Sequence, residues 1–234
     1  MRRLILVLAI ANLGQAPAPK GGTVTGTIVA TRGGAPIPAN KVEHLWVYLE
    51  STTKVGRPVG KDVVAWIEQK GLNFTPPVTL IPTGATVFFP NRDSGVHNVY
   101  SPSTKDGDWL GFNLGRYNTH KIGRKQKFGR AGEFDIYCDI HVDMVATVKV
   151  VPSRYFTKVV DGRYTLTDIA PGVYNVLAWS PDNKPTTIAE AVEVQLDATK
   201  QLRSMNFVQE PWAKEHTHYD KTPYARCEDY GGCK

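Results

Sequence analysis

Apolar positions along this chain come in short runs, many of them alternating with polar ones, as in "TVTGTIVA" and "HNVYS". The runs are rich in valine, tyrosine, phenylalanine and threonine, and glycine, proline or asparagine closes most of them. Alternation with period two is the signature of a strand that buries one face, and Gly/Pro/Asn clusters mark the turns between strands. The pattern predicts strands over 23–30, 45–50, 63–68, 78–81, 85–90, 97–101, 133–138, 145–151, 163–167, 173–180, 189–194 and 202–207. No window sustains a helical period, so the predicted class is all-β, built as sandwiches.

At 234 residues and 41% hydrophobic, the chain can build one or two packed domains and lies far from disordered composition. The first sixteen residues, "MRRLILVLAIANLGQA", carry two arginines, an apolar run and small residues, the layout of a secretory signal peptide with cleavage expected near Ala16. The apolar run is too short to span a membrane, which takes about 20 residues. Export to the periplasm or medium is therefore expected, and with it an oxidising setting. Of three cysteines, Cys227 and Cys233 stand close enough in the polar tail for a short disulfide loop, a pairing that spacing alone leaves open. Cys138 then stands apart as an inert buried thiol, an intermolecular partner or a metal ligand.

The formal charge is +6 and falls to +4 without Arg2 and Arg3. Five cations crowd into "KIGRKQKFGR", residues 121–130. Exported proteins rarely meet nucleic acid, so the run reads as a lysine-rich strand edge that resists aggregation, with docking of an acidic partner as the alternative.

The stretch that carries chemistry is "EFDIYCDIHVDM", residues 133–144, with Cys138, His141 and Met144 three apart at a strand end. Upstream, "FFPNRDSGVHNVYS" places His97 and Asn98 at the start of another strand, just after a glycine turn. A mononuclear copper site for electron transfer needs a thiolate and two imidazoles in a trigonal set, with a weak axial thioether. Cys138, His97, His141 and Met144 supply that set once each. Structural zinc wants a closed shell of four strong ligands, and thioether is a poor one. A binuclear copper centre would need a second bridging cysteine in the loop, which the sequence lacks.

On these motifs, His-Asn on one strand, Tyr-Cys ending a later one, then a His and Met loop before the closing strand "VATVKVV", residues 60–151 resemble a cupredoxin of the plastocyanin type. The resemblance implies a Greek-key β-sandwich holding one mononuclear type 1 copper ion. It also implies that Asn98 hydrogen-bonds across to the cysteine loop, and that His141 reaches the surface through an apolar patch with Ile140 and Val142 as its neighbours. Only Val142 and Asp143 separate His141 from Met144, fewer residues than in plastocyanins. So tight a loop implies a longer metal–thioether contact, a shifted potential or a site more open to water.

Two flanks are similar to another family. "GTVTGTIVATRGGAPIPANKVEHLWVYLE" and "DGRYTLTDIAPGVYNVLAWS" resemble early and late strands of the carboxypeptidase regulatory-like, transthyretin-type sandwich. The expected organisation is a signal peptide at 1–16, a discontinuous regulatory-like sandwich from 22–52 and 152–209, a copper domain at 53–151 inserted in it, and a polar, loosely held tail at 210–234. Two consecutive domains with a break near Pro152 are the alternative. His44, His120, His216 and His218 receive no role.

The expected function is an exported single-electron carrier with a transient redox protein partner, no stable membrane insertion and no catalytic activity of its own. The alternative is a cell-surface or periplasmic binding protein in which copper is secondary or lost. Copper storage is disfavoured, because only three methionines are present, one of them the initiator.

Overall fold

The computed structural model describes residues 20–53, 62–102, 111–181, 183, 186–212 and 216–223. The leader and the Cys227/Cys233 pair lie outside the described residues. Among those described, the only helix is one 3₁₀ turn, Ala39–Lys41, and the rest of the regular structure is strand. The all-β expectation holds.

Four sheets are stacked. Two of them face each other to form the sandwich that carries the site. One runs in the order Phe112–Tyr117, His97–Ser101, Gly132–Tyr137, Val145–Val151, Val78–Pro82, antiparallel except for the last pair. The other runs His120–Lys127, Thr86–Asn91, Glu68–Gln69, Phe74–Thr75, with Val64–Trp66 also paired to Thr86–Asn91. Their facing sides enclose a core of Ile67, Phe74, Val87, Phe89, Val99, Phe128, Phe134, Ile136 and Val148. The other two sheets enclose a separate core. The long strand Gly22–Arg32 pairs with Arg163–Ile169, Thr199–Gln201, Met205–Val208 and Ala35–Pro36. Opposite lie Phe156–Lys158, Trp46–Ser51, Gly172–Trp179 and Thr186–Val194, and Val24, Val47, Leu49, Leu166, Val176 and Ala178 fill the space between.

The period of two explains how the stack continues through its middle. Along Trp46–Ser51, Val47 and Leu49 point into one core, while Tyr48 points the other way with Trp179 from the neighbouring strand. They meet Val78, Leu80 and Val151 from the back of the site-bearing sheet. The strand Val145–Val151 is thus covered on both faces, which is why "VATVKVV" reads as a near-continuous apolar run. Lys149 is the exception in that run: its ammonium lies over the Trp179 ring at 5.2 Å and 4.0 Å from Glu133, which also accepts the indole N–H at 2.9 Å.

The basic run forms the strand His120–Lys127 at the edge of its sheet, where lysines discourage further strand pairing. Its register slips between His120 and Arg124. Gly123 sits in the slip at φ +72°, and a Cβ there would collide with the Phe89 carbonyl.

Candidate metal centre

His97 opens its strand, and Cys138 follows the last residue of the antiparallel neighbour Gly132–Tyr137, so both emerge at the same end of the sandwich. The loop from Cys138 to Met144 is tied at its base by two backbone bonds: Met144 N–H donates to His141 O at 3.1 Å, and Cys138 N–H to Met144 O at 3.2 Å. That turn folds His141 back over the cysteine. The Nδ1 atoms of His97 and His141 are 3.1 Å apart, and His141 Nδ1 is 3.5 Å from Cys138 Sγ. The three donor atoms all lie within 4.8 Å of one another. An ion about 2.0–2.1 Å from nitrogen and about 2.3 Å from sulfur spreads such donors roughly 3.3–3.8 Å apart, so the cluster fits one metal ion with little movement.

Burial grades the ligands. His97 and Cys138 are fully inaccessible and His141 is partly exposed. Met144 is fully buried in the same core cluster as Cys138, beneath the loop. The structure therefore brings His97, Cys138 and His141 together as donors, and it places Met144 at the loop base with its backbone bonded to both Cys138 and His141.

The tautomer of His97 is set from outside the sequence motif. Its Nε2–H donates to Asp93 Oδ2 at 2.9 Å, which turns Nδ1 toward the other donors. Asp93 is fixed in turn. The two-residue hairpin Lys70–Asn73 has Gly71 at φ +62° and Leu72 at φ +58°, and its N–H groups donate to Asp93 Oδ1 at 2.7 Å and Oδ2 at 3.1 Å. Burial pushes the Asp93 carboxyl up, but these two N–H bonds and the His97 bond outweigh it and hold it below the usual range. Burial, and then the neighbouring His97, hold His141 below the usual histidine value, against an opposing pull from Asp93. Its ring is thus kept neutral, as ligation requires. A carboxylate behind a ligand histidine orients it and raises its basicity. Asp93 was readable only as an acid four residues before His97, a spacing that by itself says nothing.

Asn98 does bond across to the cysteine loop. Its Oδ1 accepts Asp139 N–H at 3.1 Å, and its Nδ2 donates to Asn113 Oδ1 at 2.7 Å. Around His141, Val142 is exposed and so is Val96, the neighbour of His97. Ile140, expected beside them at the surface, instead packs against the core.

The tail departs from expectation. Residues 216–223 lie on the ligand loop. His216 stacks on Tyr137 at 4.3 Å with 12° between the rings, and its Nε2–H donates to Val142 O at 2.8 Å. His218 Nδ1–H donates to Asp139 O at 2.8 Å, and Tyr219 N–H to Asp139 Oδ1 at 2.7 Å. Nothing in the sequence pattern foretold this, because a polar segment with two histidines has no period to read.

No protein-family model matches the chain, and no curated protein matches it. Solved structures do. A reduced Cu(I) form, at pH 4, of an amicyanin mutant aligns at 19% identity and TM-score 0.35, over 45% of this chain and 98% of that one. A novel purple cupredoxin from Nitrosopumilus maritimus aligns at 28% identity and TM-score 0.31, over 37% of this chain and 99% of that one. An oxidised form of another amicyanin mutant aligns at 18% identity and TM-score 0.34, over 44% and 99%.

Proposed function

We propose that the chain is an exported type 1 copper protein that passes single electrons between redox partners and has no catalytic activity of its own. The observation that carries this reading is the convergence of His97 Nδ1, His141 Nδ1 and Cys138 Sγ at one end of a cupredoxin-like sandwich, with Met144 buried at the loop base. Copper held by His97, Cys138 and His141, with the Met144 thioether as a further donor, would supply a one-electron couple between Cu(I) and Cu(II).

The chain's own residues hold the site in one geometry. Asp93 fixes the ring of His97, Asn98 fixes the first peptide after Cys138, and the sandwich core keeps water from the thiolate. Ligands that need not move between oxidation states suit a carrier. His141 is the most exposed of the three donors, and the exposed Val142 and Val96 follow and precede the two ligand histidines. A small apolar surface of this kind suits a brief encounter with a redox protein. Among the described residues no helix is long and apolar enough to cross a membrane. The leader-like residues 1–16 support a periplasmic or secreted setting, and the flanking sandwich reads as regulatory-like from its own sequence motifs.

The test is a stoichiometric redox titration of the copper-loaded protein. One electron per chain, taken up and returned reversibly without loss of metal, is expected. Metal release on reduction, or an irreversible first cycle, would contradict a carrier.

A further inference from the structure

The inference below rests on the copper reading for part of its consequence, but its first test needs no metal. We infer that the C-terminal segment is a working part of the metal centre, with His216 and His218 acting as positioning residues that clamp the ligand loop from outside.

Asp139, the residue that follows Cys138, is where the two holds on the loop meet. Its N–H is held from the inside by Asn98 Oδ1. Its carbonyl accepts from His218 Nδ1, and its carboxylate accepts the N–H of Tyr219. The other oxygen of that carboxylate lies 3.5 Å from the Arg116 guanidinium. Asp139 is therefore gripped on both sides, by the sandwich and by a segment 80 residues further along the chain. At the far end of the same loop, Val142, which follows His141, gives its carbonyl to His216 Nε2. The tail thus bonds to the residue after Cys138 and to the residue after His141.

Aromatic packing anchors the clamp. His216 stacks on Tyr137, the residue before Cys138. The Tyr100 hydroxyl bonds to Thr217 O and lies 3.1 Å from His216 Nδ1, and Tyr219 meets the Tyr100 ring edge-on at 5.5 Å. Tyr100 and Tyr137 are 2% and 6% exposed, so the segment seals a surface that would otherwise present two tyrosines beside the cysteine. A ligand loop of six residues after the cysteine has few internal bonds, and only two of its backbone contacts close on itself. Holding it to the tolerance that a metal site needs calls for support from outside, and here the tail supplies it.

The experiment uses the full-length chain carrying both His216→Ala and His218→Ala, with His216→Gln and His218→Asn as the conservative pair that keeps an N–H donor at each place. Without metal, the rate of alkylation at Cys138 is followed by peptide mass, which separates it from Cys227 and Cys233. Loss of two net hydrogen bonds should raise that rate by about tenfold or more, and the conservative pair should return it toward the parent. With Cu(II) added, the alanine pair should also shift the thiolate-to-copper band and the midpoint potential, again with recovery in the conservative pair. Parent-like alkylation, within about twofold, in the alanine pair would overturn the clamp. So would an equal loss in both pairs, since that would mark general destabilisation. If no variant, the parent included, shows a copper band, the copper reading fails while the alkylation result still decides the clamp.

Discussion

Asp93 accepts the Nε2–H of His97 at 2.9 Å while two backbone N–H groups of a left-handed turn hold the same carboxylate. His97 is thereby aimed from behind. Replacing Asp93 by alanine removes the acceptor and leaves the buried ring without the bond that orients it. Copper affinity should fall about 10–100-fold, and the metal-free protein should lose about 1–3 kcal/mol. Competition with a chelator of known affinity measures the first and thermal unfolding the second.

Asn98 is 1% exposed and joins Asp139 to Asn113. In Asn98→Ala, Asp139 N–H and Asn113 Oδ1 both lose a partner in a part-buried place. The expected cost is about 1–3 kcal/mol, with faster alkylation of Cys138 in the metal-free state because the loop loses its inner hold. A variant that alkylates at the parent rate would show that Asn98 serves the fold and leaves the loop unaffected.

Leu72 holds φ +58° at an exposed turn position, a region that costs a non-glycine residue roughly 1 kcal/mol. Asparagine visits that region more readily. Leu72→Asn should therefore raise stability by about 0.5–1 kcal/mol and leave copper affinity unchanged, because the bond to Asp93 is made by the backbone N–H. A loss of affinity would mean that the turn itself had moved.

Lys149 lies in the junction between the two sandwiches, where burial holds its ammonium below the usual lysine value against the pull of Glu133 and Glu50. The folded state therefore gives up this proton before the unfolded state does. Between the lowered value and 10.5, the unfolded chain binds more protons, so this group makes stability rise with pH. Tyr48 and Tyr117 are pushed up by burial and act in the opposite sense above about pH 10. Below that point, the stability difference between the parent and Lys149→Met should change in the parent's favour as pH rises. Denaturant unfolding across the mildly alkaline range measures it, and a flat difference would refute the assignment.

Much of the sandwich was legible because strands announce themselves by period and punctuation. The segments 97–101 and 145–151 were read to their ends, and both lie in the sheet that carries the site. In the site-bearing sandwich, Phe112–Tyr117 was hidden, and His120–Lys127 was legible only as a basic strand edge, without bounds of its own. The first has half-exposed positions and an internal glycine, and the second is an edge whose cations mask its alternation. His97, Cys138, His141 and Met144 were visible as candidates because metal chemistry restricts residue types so severely, and Asn98 only through the family resemblance. Asp93, the 70–73 turn and the tail were not, since each acts through a backbone group or a contact distant in sequence, which no local pattern encodes.

The most direct test of the central claim is the optical and EPR spectrum of the purified protein after one equivalent of Cu(II). An intense thiolate-to-copper charge-transfer band is expected, one that vanishes in Cys138→Ser while the unfolding transition stays cooperative. A weak spectrum with ordinary tetragonal copper parameters, unchanged by that substitution, would contradict it.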